Sequence, residues 1–259
     1  MQNSQSTQST QKNIILIGDD CTDIYQYGIV DRISPEAPVP ILKITNVIEK
    51  GGMVSNVESN LKAFKNTNIK KYSGTRSIKT RIIDERTNQH ILRLDEEPNS
   101  IEMDVQNSNI DFDNADIIII SDYNKGFLSY TIIEEIITKA NKLNIPIFID
   151  TKKTELNKFK NAFIKINELE YNNANASLCD NLIVTRASKE VQYKDNNFEV
   201  PRVPVQDVCG AGDTFLAHLA MNYLIYKDFN ISIPKAIKAS SITVQKTGVY
   251  APELYEIKA

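Results

Sequence analysis

Five short apolar runs, residues 14–17, 117–120, 145–149, 163–166 and 182–184, punctuate the chain, with helical patterns between them. Runs that are apolar on both faces suit strands covered from both sides, and their alternation with helices predicts an α/β fold: a mainly parallel sheet flanked by helices. Each run ends in polar residues. Asp19, Asp122, Asp150 and Asn167 all fall at these ends, and in open α/β sheets ligands bind beyond the carboxyl ends of the strands. The four are therefore expected to share one rim.

Two segments read differently. Residues 39–48 and 78–94 alternate polar and apolar side chains, and Glu85-Arg86-Thr87-Asn88 between Ile82 and Ile91 has the composition of a hairpin turn. They predict a small antiparallel β lid, inserted at about residues 38–50 and 76–95. Flat exposed edges of that kind pair readily, so a homodimer through the lid is expected. Apolar residues at three-to-four spacing predict helices over 131–143 and 214–226, and a third over 234–246, with Ser232 as its cap and Pro234 in its first turn.

The Gln-, Ser- and Thr-rich residues 1–12 lack the apolar run of a signal peptide and are expected to be a disordered tail before one domain over 13–259. No stretch has the roughly 18 to 20 apolar residues of a membrane span. A net charge of −3 supplies no basic field for nucleic acid or an anionic membrane. Cys21, Cys179 and Cys209 are too few and scattered for a disulfide framework or a zinc site, which suits a cytoplasmic location.

The stretch richest in chemistry is Asp207-Val208-Cys209-Gly210-Ala211-Gly212-Asp213-Thr214-Phe215, read as following a β segment and opening an apolar helix. Small residues let the backbone approach a ligand, and the first turn of a helix offers unpaired N–H groups at the positive end of its dipole. There the amides of Gly210, Ala211 and Gly212 can hold an anion. Asp213 can take the proton of a hydroxyl attacking a nucleotide's terminal phosphate. The same residues also describe a plain glycine-rich helix start, and the GxxxxGK[ST] phosphate loop is absent.

This stretch resembles the C-terminal signature of the ribokinase-like (PfkB) carbohydrate kinases, in which the aspartate is the catalytic base and Gly-Ala-Gly the anion hole; Cys209 stands where threonine is usual. The string Arg32-Ile33-Ser34-Pro35-Glu36-Ala37-Pro38-Val39-Pro40, with Lys79-Thr80-Arg81, Leu92-Arg93-Leu94-Asp95, Ser121-Asp122-Tyr123-Asn124-Lys125-Gly126 and Asn167-Glu168-Leu169-Glu170, is similar to the D-glycero-β-D-manno-heptose 7-phosphate kinases. About two dozen residues of the family pattern are missing between Phe64 and Ile78, and its paired glycine is read as Gly52-Met53.

The resemblance implies transfer of phosphate from ATP, with Mg²⁺, to the anomeric hydroxyl of the heptose phosphate, on the route to ADP-heptose. It implies that Asp23, Gly52, Asn56 and Asp122 contact sugar hydroxyls, and that Lys79, Arg81, Arg93 and Lys125 face the substrate phosphate. Asn167, Glu168, Leu169 and Glu170 would lie at the nucleotide, with Asn167 and Glu170 reaching the metal through water. Thr185 and Arg186 would border the adenine, with Glu190 at a position usually glycine, and Gly248 would form the opposite wall or simply cap a helix. Some relatives carry a second, nucleotidyl-transferring domain with paired histidines; His90 and His218 do not make such a pair, so a kinase unit alone is expected. A kinase for another sugar or sugar phosphate, and an inactive sugar- or nucleotide-binding protein, are the alternatives.

Overall fold

The computed structural model describes residues 11–176 and 179–258. Eight strands form the main sheet in the order β12-β11-β10-β9-β8-β7-β1-β4. Its parallel part comprises β4 (Thr67–Ser73), β1 (Lys12–Gly18), β7 (Ile117–Asp122), β8 (Ile147–Thr151), β9 (Phe163–Asn167) and β10 (Leu182–Thr185). The antiparallel hairpin β11 (Glu190–Tyr193) and β12 (Asn196–Glu199) closes one edge. The isoleucine runs explain these strands: β-branched side chains are at ease on a pleat, and successive residues point to opposite faces.

Ile14, Leu16, Ile117 and Ile119 pack on one side, beneath α1 (Val54–Lys62), α4 (Ala211–Tyr226) and α5 (Phe229–Thr243). Ile15, Ile17, Ile118 and Ile120 pack on the other, against α2 (Tyr130–Lys142). The short helices α3 (Glu168–Asn173) and α6 (Leu254–Lys258) complete the chain.

The lid is a four-stranded sheet, ordered β3-β2-β5-β6, of β2 (Asp20–Ile33), β3 (Pro40–Met53), β5 (Ser77–Asp84) and β6 (Gln89–Glu96). The expected hairpin is present, turning through 85–88. Residues 20–33, whose strand character the polar side chains conceal, pair antiparallel with β3 and parallel with β5. The string 32–40 runs from the end of β2 through the turn at 34–39 to the start of β3.

Several expectations need correction. The third helix begins at Phe229, capped by Asp228, whose side chain accepts from Asn230 N at 2.8 Å; Ser232 lies inside it and Pro234 in its second turn. Phe229 stacks among Phe163, Tyr193 and Tyr223, and this aromatic packing anchors the earlier start. The helix also stops at Thr243, short of 246. Helix α4 starts at Ala211 with Gly210 as its cap, so Ala211, Gly212 and Asp213 belong to its first turn; residues 200–210 before it are irregular rather than a strand. The tail expected over 1–12 lies outside the described residues except for Gln11 and Lys12, and Lys12 already pairs in β1. Where the family pattern is shortened, α1 leads after four residues into β4, the edge strand beside β1.

Candidate active site

Gly210 takes a left-handed conformation, φ 76°, and a Cβ there would lie 2.4 Å from Asn56 Nδ2, so only glycine fits. Beyond it the chain enters α4. The Ala211 N–H turns back to Val208 O at 3.3 Å and the Thr214 N–H to Gly210 O at 2.9 Å. The amides of Gly210, Gly212 and Asp213 have no protein partner among the described residues. Of the three amides expected to hold an anion, that of Ala211 is therefore used internally, and the Asp213 amide stands unpartnered beside those of the two glycines.

Asp213 is 2% exposed. Asn56 Nδ2 donates to its Oδ2 at 3.0 Å and the Tyr123 hydroxyl to its Oδ1 at 2.9 Å. Burial pushes its pKa up to about 6; the Asn56 bond pulls it down, the Asp150 charge raises it further, and Tyr123 and Lys165 oppose that rise. A carboxylate poised near neutrality is suited to collecting a proton. Asn56 is itself buried, and its Nδ2 also reaches Gly210 O at 3.3 Å. It holds both the base and the loop.

Lys165 went unnoticed in the sequence. It leaves β9 to meet Asp150 Oδ2 at 2.7 Å, and its Nζ lies 3.0 Å from where a Gly212 Cβ would stand. Asp150 outweighs the burial that would otherwise discharge the lysine, so Lys165 stays protonated beside the free amides. The only available signal was a lysine inside an apolar strand run, which must find a buried partner.

The lid sheet presents one charged face. Strand register puts Asp23 across from Lys50 and Lys79, and Tyr25 across from Arg81, which faces Arg93 in turn. This face meets the rim: Lys50 Nζ donates to Val249 O at 2.8 Å, Arg81 reaches Cys209 Sγ at 3.9 Å, and Lys79 lies 5.9 Å from the centre of the Tyr123 ring. The candidates Asp23, Lys79, Arg81 and Arg93 are therefore brought together. Gly52 belongs with them, since a Cβ there would strike Asp23 Oδ2 at 2.2 Å. The position after it, Met53, has φ 52°, a conformation glycine tolerates best.

Three of the four expected phosphate cations are already neutralised. Arg81 pairs with Asp23 at 2.5 Å, Arg93 with Asp95 at 2.7 Å and Lys125 with Glu97 at 2.7 Å. Lys79 has no ion-pair partner among the described residues. Asp122 departs furthest from expectation. It is 1% exposed and its oxygens accept from Thr151 Oγ1, Lys153 Nζ and Asn124 N, so it braces the loop after β7 instead of opening to a ligand. Asp19 does similar work, its Oδ2 accepting from Tyr123 N at 2.7 Å and Lys125 N at 3.2 Å.

Asn167 and Glu170 form a reciprocal capping box at the start of α3: Asn167 Oδ1 accepts from Glu170 N at 2.9 Å and Glu170 Oε2 from Asn167 N at 2.7 Å. Lys152 pairs with the other Glu170 oxygen. Their donors are all oxygen, which suits a hard divalent cation, and their remaining lone pairs fit contact through water better than direct ligation. Glu168 pairs with Arg186 and Lys189 at 3.4 Å, Leu169 is exposed, and Thr185 Oγ1 bonds Ile166 O at 3.3 Å. Glu190, in the usual glycine position, opens β11 and faces Arg186 at 3.5 Å. Gly248, the expected opposite wall, contacts the loop before α4 and the lid. Its N–H bonds Asp207 Oδ2 at 2.9 Å and a Cβ there would lie 2.9 Å from the Tyr25 ring, so it joins the lid to the anion loop.

Residues 64–255 match the family model described as pfkB family carbohydrate kinase. The bifunctional protein HldE of Helicobacter pylori strain J99 is 30% identical across 95% of this chain, and that of Campylobacter curvus 28% identical across 95%. The chain spans 65% and 64% of the length of these two relatives. Among solved structures, Arabidopsis thaliana ribokinase complexed with ribose and ATP superposes with a TM-score of 0.67 at 14% identity, covering 96% of this chain and 98% of that one. Escherichia coli phosphofructokinase-2 in complex with potassium gives 0.71 at 13% identity, covering 96% and 97%. At such identities the structural likeness speaks for the fold.

Proposed function

The chain belongs to the pfkB family of carbohydrate kinases, phosphotransferases with an alcohol group as acceptor, and from that premise we propose that it phosphorylates the anomeric hydroxyl of D-glycero-β-D-manno-heptose 7-phosphate, giving the 1,7-bisphosphate for ADP-heptose synthesis. The observation that carries this reading is the buried Asp213 beside unpaired amides at the head of α4, with the heptose-kinase-like string 32–40 and the HldE likeness favouring this acceptor. The family's phosphate donor is ATP.

Asp213 takes the proton as the sugar oxygen attacks the γ-phosphorus and ADP leaves. The amides of Gly210, Gly212 and Asp213, with Lys165 behind them, meet the charge on the phosphoryl group in flight. Asp23 and Gly52 shape the sugar side, and Lys79 is the cation left to receive the distal phosphate. Magnesium, held through water by Asn167 and Glu170, would neutralise charge across the nucleotide phosphates. Thr185 and Arg186 border the nucleotide.

The lid's second face supports a homodimer. Val47, Ile82 and Leu92 share it across register, with Leu94 two residues on, and Leu92 and Leu94 are 50% and 47% exposed. A second copy is the occupant that would cover an apolar face repeated on every chain. The three cysteines are unpaired, in keeping with a cytoplasmic setting.

Turnover with heptose 7-phosphate, fructose 6-phosphate and ribose, followed as ADP release and sugar phosphate formed, tests the acceptor: the heptose phosphate is expected to be preferred. Asp213→Asn is expected to slow transfer by roughly 10²- to 10⁴-fold. Equal rates for the two proteins would defeat the kinase reading. The covered base, the Cys209 substitution and Glu190 favour the second reading, an inactive binder, which binding without turnover would establish.

A further inference from the structure

Tyr123 belongs to the loop after β7, yet its hydroxyl crosses the site to Asp213 Oδ1 at 2.9 Å, the oxygen that Asn56 leaves free. An attacking hydroxyl needs that kind of position: it must donate a hydrogen bond to the base before it transfers its proton. A phenol already donates there. The loop itself is firmly set, because Asp19 holds the Tyr123 and Lys125 amides and Asp122 holds the Asn124 amide. The side chain can therefore leave by turning about its own bonds while the backbone stays in place. Two ammonium groups lie near its ring, Lys79 at 5.9 Å and Lys152 at 5.5 Å from the ring centre, each from a different part of the chain. Lys79, which has no ion-pair partner among the described residues, gains one when an anionic ligand arrives, which loosens the ring's hold.

We infer that Tyr123 is an acceptor-selecting residue: its hydroxyl occupies the place of the incoming sugar hydroxyl on Asp213, excludes water from the base, and is displaced only by an acceptor that brings enough binding energy of its own. This rests on the kinase reading and deepens it. Water is the competing acceptor for every kinase. In the side reaction its oxygen bonds the γ-phosphorus, the bond to the bridging oxygen breaks, ADP leaves with the electron pair, and the proton passes to Asp213, giving ADP and inorganic phosphate. A single water contributes almost no contacts with which to dislodge a phenol hydrogen-bonded to a carboxylate, whereas a sugar phosphate contributes many.

The test is ADP release at pH 8, with Mg-ATP and no sugar, for the wild type, Tyr123→Phe, and Tyr123→Phe combined with Asp213→Asn. Thermal melts establish that each is folded. Removing the hydroxyl is expected to raise sugar-independent hydrolysis about tenfold, the factor set by one hydrogen bond to a charged group. It should also lower KM for the sugar phosphate by a similar factor with little change in kcat. The double variant should lose the added hydrolysis.

Hydrolysis by Tyr123→Phe equal to or below the wild type, with sugar phosphorylation intact in the wild type, overturns the inference and spares the kinase reading. Added hydrolysis that survives Asp213→Asn overturns it as well. A wild type that phosphorylates no sugar, beside a Tyr123→Phe variant whose hydrolysis depends on Asp213, would uphold the role of Tyr123 and sink the sugar reading. No turnover by any protein would overturn both.

Discussion

The main sheet and the lid sheet are built from the same kind of residue and held by different forces. In the main sheet both faces are apolar and covered, so Ile117 to Ile120 alternate between two cores and each contributes by leaving water. The lid divides its faces. One carries Asp23, Lys79, Arg81 and Arg93 toward the rim, and the other carries Val47, Leu92 and Leu94 away from it. A sheet covered on both sides is held by apolar burial alone, whereas the lid, with one charged and one exposed apolar face, carries a buried ion pair between Asp23 and Arg81.

The sharpest way to break the contrast is to break the lid's internal pair. Arg81 and Asp23 are both buried, and Asp23 keeps Arg81 charged by outweighing the burial that disfavours it. Arg81→Met leaves an uncompensated carboxylate and is expected to cost about 3 to 5 kcal/mol locally. Hydrogen exchange should accelerate across β2, β3, β5 and β6 while β1, β7 and β8 keep their protection. Uniform acceleration in both sheets would erase the distinction.

A smaller effect probes the core of the main sheet. His218 is buried against Phe64, its Nε2 has no partner, and burial pushes its pKa down to about 4. The unfolded chain takes up this proton near pH 6.5 and the folded one only near 4. The neutral ring therefore supports the fold fully above pH 6.5, and that support is lost as pH falls through about 4, about 3 kcal/mol in total. Asp213, whose pKa is raised to about 6, acts in the opposite sense over part of this range. Denaturant melts of His218→Leu against the wild type should converge above pH 7 and part toward pH 4, with the variant the more stable. Parallel curves would show that the core histidine does not titrate.

The smallest expected change lies on the lid's outer face. Leu92→Glu should leave the melting temperature of the isolated chain within a few degrees and shift the molar mass, measured by light scattering, from dimer to monomer. A wild type that is monomeric at assay concentration would remove the partner from the comparison.

Much of the main sheet was legible in the sequence because burial on both faces writes itself as unbroken apolar runs, and Gly210 and Gly212 betray a backbone that must come close to something. The lid's hairpin was legible from its turn. Strand β2 was not, because Asp20, Asp23 and Arg32 disguise a strand, and Asp20 and Asp23 find their partners in Ser55, Arg76 and Arg81, far along the chain. Pro234 misled for the reverse reason: its local rule was obeyed less strongly than Phe229 was held by the aromatic cluster.

By itself the sequence determined the parallel α/β architecture, the family and the place of a candidate base, an aspartate at a glycine-rich helix start, because each of these is encoded within a few neighbouring residues. Only the tertiary structure decided which cations remain free, that Asp122 is a brace, that Lys165 stands behind Gly212, and that Tyr123 and Asn56 share the two oxygens of Asp213 from 90 and 157 residues away. Hydrogen-bond partners at such separations are selected by where folding brings the strand ends together, and no local periodicity carries that information.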